Sequence, residues 1–313
     1  IAADGTYISV LSKDEQARWI GWQGAFYNIA KIAATGGLVY LAGTFIKHYG
    51  VTKAWMFIML IIAVIMVVVG VYHYAILPNS NEDSERKPTS LSEPMDELLK
   101  VFLDFFTKKH IVYYICFIIL YRFAEGFVIK IVPLFLKAPR ISQGLGLSEQ
   151  EIGVYYGTFG AAAFVIGSIL AGYYIAWRGL QKSLFSLALV FNIPFVAYTF
   201  LALYQPNSMW LIGGGIVMEY FGYGFGFVGL TLFMMQQVAP GKHQMAHYAF
   251  ASGIMNLGVM LPGMISGYIC DKIGYQHFFI MVLICTIPAL LITWFVPFSY
   301  PDTTEKAKNE ATT

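Results

Sequence analysis

Eight apolar segments dominate the sequence, and each is long enough to cross a lipid bilayer. A membrane-spanning helix needs about 20 mostly apolar residues. Segments of this kind lie at 19–46, 54–77, 110–136, 151–175, 183–204, 209–237, 246–270 and 276–298. Most connections between them are short, as helical hairpins require. The pattern predicts an all-α integral membrane protein with about eight transmembrane helices.

The composition excludes an ordinary soluble domain. Hydrophobic residues make up 58% of the 313 residues and charged residues 12%, with a mean hydropathy of +0.62. Soluble domains carry about 25% charged residues. The net charge of +2 predicts no nucleic-acid partner. Cys116, Cys270 and Cys285 lack the spacing of a metal or redox motif, so we expect no metal and no cofactor.

One connection is long and polar. Residues 78–109 contain proline, serine and many charged residues, which is the composition of a linker. Within 94–107, apolar residues recur at helical spacing opposite charged ones; they are Met95, Leu98, Leu99, Phe102, Phe105 and Phe106. This pattern predicts an amphipathic helix on the membrane surface. A connector helix away from the membrane is the alternative.

The distribution of lysine and arginine predicts the orientation, because basic loops stay in the cytoplasm. Most basic residues outside the apolar segments fall on the side of the linker and the tail 301–313. The opposite side holds only Lys47, Lys53, Lys137, Arg140 and Lys272. We therefore expect the linker and the C-terminal tail to face the cytoplasm.

Pairs of glycines seven residues apart bracket three loops. The pairs are Gly43 and Gly50, Gly172 and Gly179, and Gly267 and Gly274. The likeness of the first and last hairpins predicts a transporter built from two similar halves, with chance similarity as the alternative. Two segments precede the linker and six follow it. We therefore expect about four helices to be missing before the first of them. The chain opens at Ile1 without a leader, which is also typical of a chain that has lost its beginning.

The predicted domains follow from this division. Residues 1–77 are the remainder of an N-terminal half, 78–109 the cytoplasmic linker, 110–300 a six-helix C-terminal half and 301–313 a cytoplasmic tail.

Three ionisable residues interrupt the segment 110–136. A charge in hydrocarbon costs on the order of 3 kcal/mol, so such residues face the bundle interior or a water-filled cavity. Arg122 and Glu125 are three residues apart on one helix and are expected to pair. Lys130 lies about 140° around the helix from Glu125. It either extends towards the membrane surface or points at a solute in the cavity.

Other polar residues lie in the remaining segments. Glu219 has no basic residue within reach on its own helix, so its partner comes from another helix or the carboxyl is protonated. Such a carboxyl is a candidate for proton coupling, and a neutral structural carboxyl is the alternative. Lys31 and Asn28 lie one turn apart, and Asp4 is near the start. Converging charges predict a charged, polar solute, and the cations favour an anionic one.

Four glycines in the segment 209–237 form the pattern G-x-G-x-x-G. They are Gly222, Gly224, Gly226 and Gly229. The pattern lies inside an apolar helix with no strand before it, which excludes a dinucleotide-binding loop. Small residues at these positions predict close approach of neighbouring helices.

Three stretches carry a family resemblance. The first is residues 1–32, the second is YRFAEGFVIKIVPLFL with the later GLGLSEQEIGVYYGTFG, and the third is VMEYFGYGFGFVGLTLFM. All three resemble AmpG-type muropeptide permeases of the major facilitator superfamily. The first stretch resembles the fourth and fifth helices of these permeases, the second resembles the seventh and eighth, and the third resembles the tenth. The resemblance implies twelve or more helices in the full protein and proton-driven import across the bacterial inner membrane. The implied solute is a cell-wall fragment, an anhydro-muramyl sugar with attached peptide.

The resemblance also implies roles for single residues. Asp4, Glu125 and Glu219 match acidic positions of the family, and Arg122 matches a basic one. Asn28 stands where the family has a basic residue, and Lys31 is a candidate substitute one turn further on. The substrate-binding candidates are Arg122, Lys130, Lys31 and Asn28. The superfamily's loop motif appears at Gly267, Asp271, Lys272 and Gly274, and in degraded form at Gly172–Gly179, where Ala176 holds the acidic position.

Two other classes of membrane protein would require features that the sequence does not show. A membrane enzyme acting on lipid-linked substrates needs a metal or acid–base cluster, and the sequence contains no HExxH or GxSxG motif. A solute sensor that does not transport needs an output domain, and only a short tail follows Tyr300. The sequence therefore predicts a transporter rather than an enzyme, acting as a monomer on a small solute and protons in the bilayer.

Overall fold

Every regular element of the structure is helical. The structure, a computed structural model, describes residues 2–76 and 93–301. Within these ranges there is no β-strand. The predicted all-α fold class is confirmed.

Twelve α-helices follow the predicted segments along these ranges. They are α1 (Ala2–Val10), α2 (Lys13–Ile32), α3 (Val39–Tyr49), α4 (Val51–Ile76), α5 (Glu93–Phe106), α6 (Ile111–Lys137), α7 (Glu149–Ile152), α8 (Gly160–Arg178), α9 (Leu180–Asn192), α10 (Pro194–Tyr204), α11 (Met209–Phe233) and α12 (Gln244–Trp294). Three π-helical stretches extend them: Ala33–Leu38 joins α2 to α3, Gly153–Phe159 joins α7 to α8, and Met234–Val238 prolongs α11.

Five helical stretches of the described ranges are long and apolar enough to cross a membrane. They are Val51–Ile76, Gly153–Arg178, Leu180–Tyr204, Met209–Val238 and Gln244–Trp294. The last stretch contains two of the eight predicted segments. They are divided at Gly274, where the backbone is non-helical. The other two predicted segments lie in α6, which has 27 residues, and in α2 with α3. Both have the length of a membrane span, and their position in the membrane stays a prediction.

Capping boxes begin two of the helices, as the sequence predicts. The backbone N–H of Ser148 donates to Glu151 Oε2 at 2.8 Å, and the Glu151 N–H donates back to Ser148 Oγ at 3.3 Å. Ser12 and Glu15 make the same reciprocal bonds at 3.0 and 3.4 Å. The boxes satisfy backbone donors that the first helical turn leaves unpaired, and so they fix where α2 and α7 begin.

The second glycine of each predicted pair joins two consecutive helices. Gly50, Gly179 and Gly274 have φ angles of 78°, 84° and 75° and ψ angles of 166°, 150° and 164°. This region of backbone conformation is essentially restricted to glycine. The shared spacing therefore corresponds to a shared helix–glycine–helix junction at all three places.

Replacing Gly274 by alanine is expected to lower the free energy of unfolding by about 1–3 kcal/mol, because alanine disfavours this conformation. Gly267 is the matched control within the same loop motif. It lies inside a helix, and a Cβ there would meet no atom within 4 Å. Gly267→Ala should therefore be neutral or stabilise by up to about 1 kcal/mol. Thermal unfolding of the two purified variants tests this, and equal losses in both would contradict it.

The loop motif has two charged members between these glycines. Asp271 and Lys272 are both exposed, and the Lys272 ammonium lies 4.5 Å from the centre of the Tyr268 ring. A cation at this distance over an aromatic face is held by a cation–π interaction. In this structure the lysine of the motif therefore contacts its own helix.

The linker contains the predicted amphipathic helix as α5, Glu93–Phe106, against a predicted range of 94–107. The linker residues up to 92 lie outside the described residues. Val101 and Phe105 are buried, and the Phe105 ring lies 5.6 Å from that of Phe250 on α12. Part of the apolar face therefore packs on protein. The location of the helix at the membrane surface remains a prediction.

Contacts divide the chain into two compact units. One combines the segment that ends at Asn28 with the segment that begins at Lys100, and the other runs from Ile29 to Leu99. In the smaller unit α3 and α4 form a hairpin around Gly50, with the rings of Tyr49 and Phe57 5.5 Å apart.

The larger unit has a core rich in aromatic residues. In this unit α6 packs chiefly on α12, and α8 on α11. The ring of Phe117 lies 4.6 Å from that of Phe233, and the ring of Phe135 lies 5.0 Å from that of Phe279. These buried rings fix α6 against its neighbours. The same helix carries Arg122 and Glu125.

Candidate functional site

A buried ion pair lies in the middle of α6. Arg122 Nε donates to Glu125 Oε2 and Arg122 Nη2 donates to Glu125 Oε1, each at 2.6 Å. Both residues are only 6% exposed. The pairing expected from their spacing is therefore present, and it is bidentate, which is the strongest geometry for a guanidinium and a carboxylate.

Aromatic side chains of α11 surround the arginine. The guanidinium carbon of Arg122 lies 5.2 Å from the centre of the Phe227 ring and 6.0 Å from that of Tyr223. A guanidinium stacks favourably on such rings. Arg122 is thus held by the Glu125 carboxylate, by a hydrogen bond with the Tyr223 side chain and by the Phe227 ring, which ties α6 to α11 at this level.

Glu219 accepts its hydrogen bond from a tyrosine on a neighbouring helix. Tyr198 Oη on α10 donates to Glu219 Oε2 at 2.6 Å. The Tyr198 side chain is completely buried and stacks on Phe279, with an angle of 17° between the rings. Among the side chains that the structure describes, which do not include Lys31, no cation is paired with Glu219. A partner from another helix was one of the two expected possibilities, and it is an uncharged donor.

Glu125 and Glu219 belong to one group of interacting residues. Glu125 and Glu219 lie within electrostatic range of each other and of the Tyr223 hydroxyl, and Tyr27 on α2 lies within the same range of Tyr223. The structure therefore brings two predicted acidic residues and the predicted Arg122 into a single cluster between α6, α10 and α11.

Asp4 and Asn28 make separate contacts. Gln23 Nε2 donates to Asp4 Oδ1 at 2.5 Å, and Asp4 also interacts with Tyr248 on α12. The Asn28 amide donates to the carbonyl of Gly24 one turn earlier at 3.0 Å. The Lys31 side chain lies outside what the structure describes, so its role as a substitute for the family's basic residue stays a prediction.

Lys130 is exposed on α6. The aliphatic stem of Lys130 runs past Gly263 of α12, where an added Cβ would lie 3.5 Å from Lys130 Cγ. The stem therefore packs in a space that glycine leaves open. Both expected roles of Lys130, reaching the surface or meeting a solute, stay predictions.

The glycine pattern of α11 marks close helix crossings, as predicted. A Cβ on Gly224 would lie 2.3 Å from the carbonyl oxygen of Phe164 on α8, and one on Gly222 would lie 2.5 Å from that of Val190 on α9. A Cβ on Gly226 would lie 2.4 Å from Cβ of Phe191. These glycines bring the backbones of α8 and α9 against α11.

A second close crossing joins α2 and α8. A Cβ on Gly21 would lie 2.2 Å from the Ser168 carbonyl oxygen, and one on Gly172 would lie 2.8 Å from the Ala17 carbonyl oxygen. Each helix thus supplies a glycine where the other backbone passes. Contact between the backbones requires small residues at both places.

Sequence reasoning missed three members of the cluster. Tyr198, Tyr223 and Phe227 complete the surroundings of Glu219 and Arg122, and they lie on α10 and α11. Tyr223 and Phe227 belong to a run of aromatic residues and glycines. Within this run the local sequence does not distinguish a ring that contacts a charged group from a ring that packs in the core. The only signal for Tyr198 was the missing partner of Glu219.

These features define the class of the protein as an all-helical, multi-pass membrane protein with buried ionisable residues in its helices. The profile of the Major Facilitator Superfamily matches residues 5–240. Because this match covers most of the chain, the protein belongs to the Major Facilitator Superfamily.

Named relatives agree with this membership. "Putative transporter AmpG 1" of Rickettsia bellii is 23% identical over 276 residues, which are 85% of this chain and 62% of the relative. "Putative transporter AmpG 1" of Rickettsia conorii is 23% identical over 284 residues, with the same coverage. "Putative transporter AmpG 2" of Rickettsia prowazekii is 25% identical over 221 residues, which are 67% of this chain and 50% of the relative. The chain thus spans between half and two thirds of these relatives.

Proposed function

We propose that the protein is a secondary active transporter that imports cell-wall muropeptides together with protons by alternating access. The observation that carries the proposal is the cluster of Arg122, Glu125 and Glu219 inside helices of membrane-spanning length. Buried charges at such depth mark solute and proton pathways in membrane proteins. The names of the relatives and the resemblance to AmpG-type permeases favour anhydro-muramyl peptides as the solute. Another anionic or sugar-type solute is the alternative within the same family.

The three acidic candidates differ in their suitability for proton coupling. Glu125 is held by a bidentate arginine, and a carboxylate in such a pair gives up that pairing when it binds a proton. Asp4 accepts a hydrogen bond from the Gln23 amide. Glu219 has a hydroxyl partner, and a hydroxyl can donate to a carboxylate or accept from a carboxylic acid. Glu219 is therefore our first candidate for the proton carrier.

Arg122 is our first candidate for an anionic solute group, with Lys130, Lys31 and Asn28 as further candidates. Its Nη1 takes no part in the ion pair with Glu125. Tyr223 and Phe227 beside it offer ring faces, on which the apolar faces of a sugar stack. An anion and a sugar ring in one solute match this combination.

Alternating access needs helices that separate and close without losing their core. The crossing of α2 and α8 at Gly21 and Gly172 joins helices that the resemblance assigns to different halves. We propose that this crossing closes one side of the carrier and opens during the cycle. The proposed location is the bacterial inner membrane, with the linker and the C-terminal tail in the cytoplasm.

Uptake of radiolabelled anhydro-muropeptide into vesicles that carry the full-length protein tests the proposal. A gradient of one pH unit supplies about 1.4 kcal/mol per proton, enough for about tenfold accumulation with one coupled proton. We expect accumulation of this order with the gradient, and equilibration without it or after an ionophore collapses it. Uptake of a simple sugar instead of the muropeptide would overturn the substrate assignment, but the assignment as a carrier would stand. Binding of muropeptide with no uptake would indicate a sensor.

A further inference from the structure

A basic cavity of about 300 Å³ lies where α11 ends and α12 begins, and none of its lining residues belongs to the Arg122 cluster. Its wall combines the end of the linker, the turn between α11 and α12, and the residues after α12. The ionisable residues that line it are Asp104, Lys108, Lys109, Lys242, His243 and His247.

Positive charge predominates in this cavity. Three lysines face one carboxylate, so the formal charge of the lining is +2 with both imidazoles neutral. The carboxylate belongs to Asp104, and its Oδ2 lies 3.6 Å from His243 Nε2, which is therefore its neighbour within the cavity. The remaining lining residues, including Gln237 and Tyr300, are neutral. The cavity is therefore complementary to an anion.

Lys108 holds one wall of the cavity in place. Its ammonium donates to the carbonyl oxygens of Val238, Ala239 and Pro240 at 2.6, 3.1 and 2.8 Å. These carbonyls lie where α11 and its π-helical extension end. Burial lowers the pKa of Lys108 to about 8, so the group is still mostly charged at pH 7. Lys108 thus contributes a fixed positive charge at the end of α11.

The first turn of α12 contributes hydrogen-bond donors. His243 precedes the helix and makes no capping hydrogen bond with its side chain. The N–H groups of a helix's first turn lack partners within the helix and favour anions. His247 in this turn is 2% exposed; Nε2 lies 3.2 Å from the Val101 carbonyl, and Nδ1 has no hydrogen-bond partner. Because Nε2 donates to this carbonyl, Nδ1 of the neutral ring is an acceptor, so the donors of this turn are its backbone N–H groups and not His247.

Exposed apolar residues lie next to the cavity on α5. Phe102, Leu103 and Phe106 are 46%, 54% and 47% exposed, and Asp104 of the cavity lies among them. A row of exposed apolar residues beside basic groups is the arrangement of a helix at the membrane interface. Acyl chains would cover the apolar row while a headgroup reaches the lysines.

We propose that this cavity binds the phosphate group of an anionic phospholipid, with Lys109 and Lys242 as its exposed contacts and the first turn of α12 as a donor. Basic pockets at the ends of transmembrane helices take anionic headgroups by this chemistry. The bound lipid would fasten the linker helix α5 to the end of α11. The proposal does not depend on which solute is transported.

Native mass spectrometry of the full-length protein in a neutral detergent tests the proposal. Titration with dioleoyl phosphatidylglycerol should show one preferred lipid, bound about tenfold more tightly than dioleoyl phosphatidylcholine. Sodium glycerol 3-phosphate is the soluble comparison, because it carries the same phosphate without acyl chains. If it binds as tightly as the lipid, the site takes soluble phosphate esters and the lipid assignment is wrong.

Variants locate the binding to this cavity. Lys109→Gln and Lys242→Gln should each weaken phosphatidylglycerol binding about fivefold, and the double variant about 25-fold. Both side chains are exposed, so the fold should tolerate the changes. Lys182→Gln is the matched control, since it removes one exposed lysine on the same predicted face and should leave binding unchanged. Equal binding by the double variant and the unaltered protein would overturn the proposal.

Discussion

Replacing Arg122 by methionine should lower the free energy of unfolding by about 3–5 kcal/mol, because it leaves the Glu125 carboxylate buried without its partner. The two hydrogen bonds of 2.6 Å and the 6% exposure of both residues set this expectation. Adding Glu125→Gln removes the unpaired charge. The double variant should therefore recover most of the lost stability, although it carries two substitutions. Thermal and denaturant unfolding of the purified variants measures both effects.

Lys130→Met on the same helix is the control for this experiment. It also removes a cation from α6, but the side chain is exposed. We expect its effect on stability to stay within about 0.5 kcal/mol, as for most surface substitutions. An Arg122→Met variant as stable as Lys130→Met would show that the ion pair does not stabilise the fold. A double variant whose loss of stability equals the sum of the two single losses would show that the two side chains are not coupled.

The features that could be predicted from the sequence depend on neighbours along the chain. The Arg122–Glu125 pair follows from a spacing of three residues on a helix. The capping boxes at Ser12 and Ser148 follow from the same kind of local pattern. The junction glycines, such as Gly274, were found as a repeated spacing, although their backbone conformation became visible only in the structure.

The features that could not be predicted depend on contacts between distant segments. The bond from Tyr198 to Glu219 joins two helices across a turn, and no spacing rule selects this tyrosine among the 21 of the chain. The basic cavity assembles residues 104–109, 237–247 and 299–300. In the sequence, the lysines of this cavity indicate only the orientation of the chain. Their convergence depends on how α5 and α12 pack, which hydropathy does not encode.

The Glu219→Gln variant is expected to lose accumulation driven by a pH gradient while it keeps exchange of the solute across the membrane. A gradient of two pH units supplies about 2.7 kcal/mol per proton, so the unaltered carrier should accumulate the solute about 100-fold with one coupled proton. Glutamine cannot release a proton, so the ratio should fall to about one. Exchange needs no net proton movement, and glutamine resembles the protonated carboxyl. Uptake and counterflow in the same vesicles measure the two quantities.

The Tyr198→Phe variant removes the hydroxyl that donates a hydrogen bond to the Glu219 carboxyl. Glu219 can still gain and lose a proton in this variant, so the final accumulation ratio should stay near that of the unaltered carrier. A hydrogen bond to a charged group is worth about 1.5–3 kcal/mol. Its loss should displace the pH at which the initial uptake rate is half-maximal by about one to two pH units. An unchanged pH profile would mean that Tyr198 supports the fold without affecting the carboxyl.

Glu125→Gln measured in the same way decides between the two carboxyls of the cluster. If Glu219 carries the proton, Glu125→Gln should reduce the uptake rate by disturbing Arg122 but preserve the accumulation ratio. Loss of accumulation in Glu125→Gln alone would assign the proton to the ion pair, which then must open in each cycle. Accumulation that survives both substitutions would exclude both residues and leave Asp4 as the remaining predicted carrier. A proton on Glu125 and an anionic solute group on Arg122 would each break the ion pair, so both favour the same open state and would be coupled as cotransport.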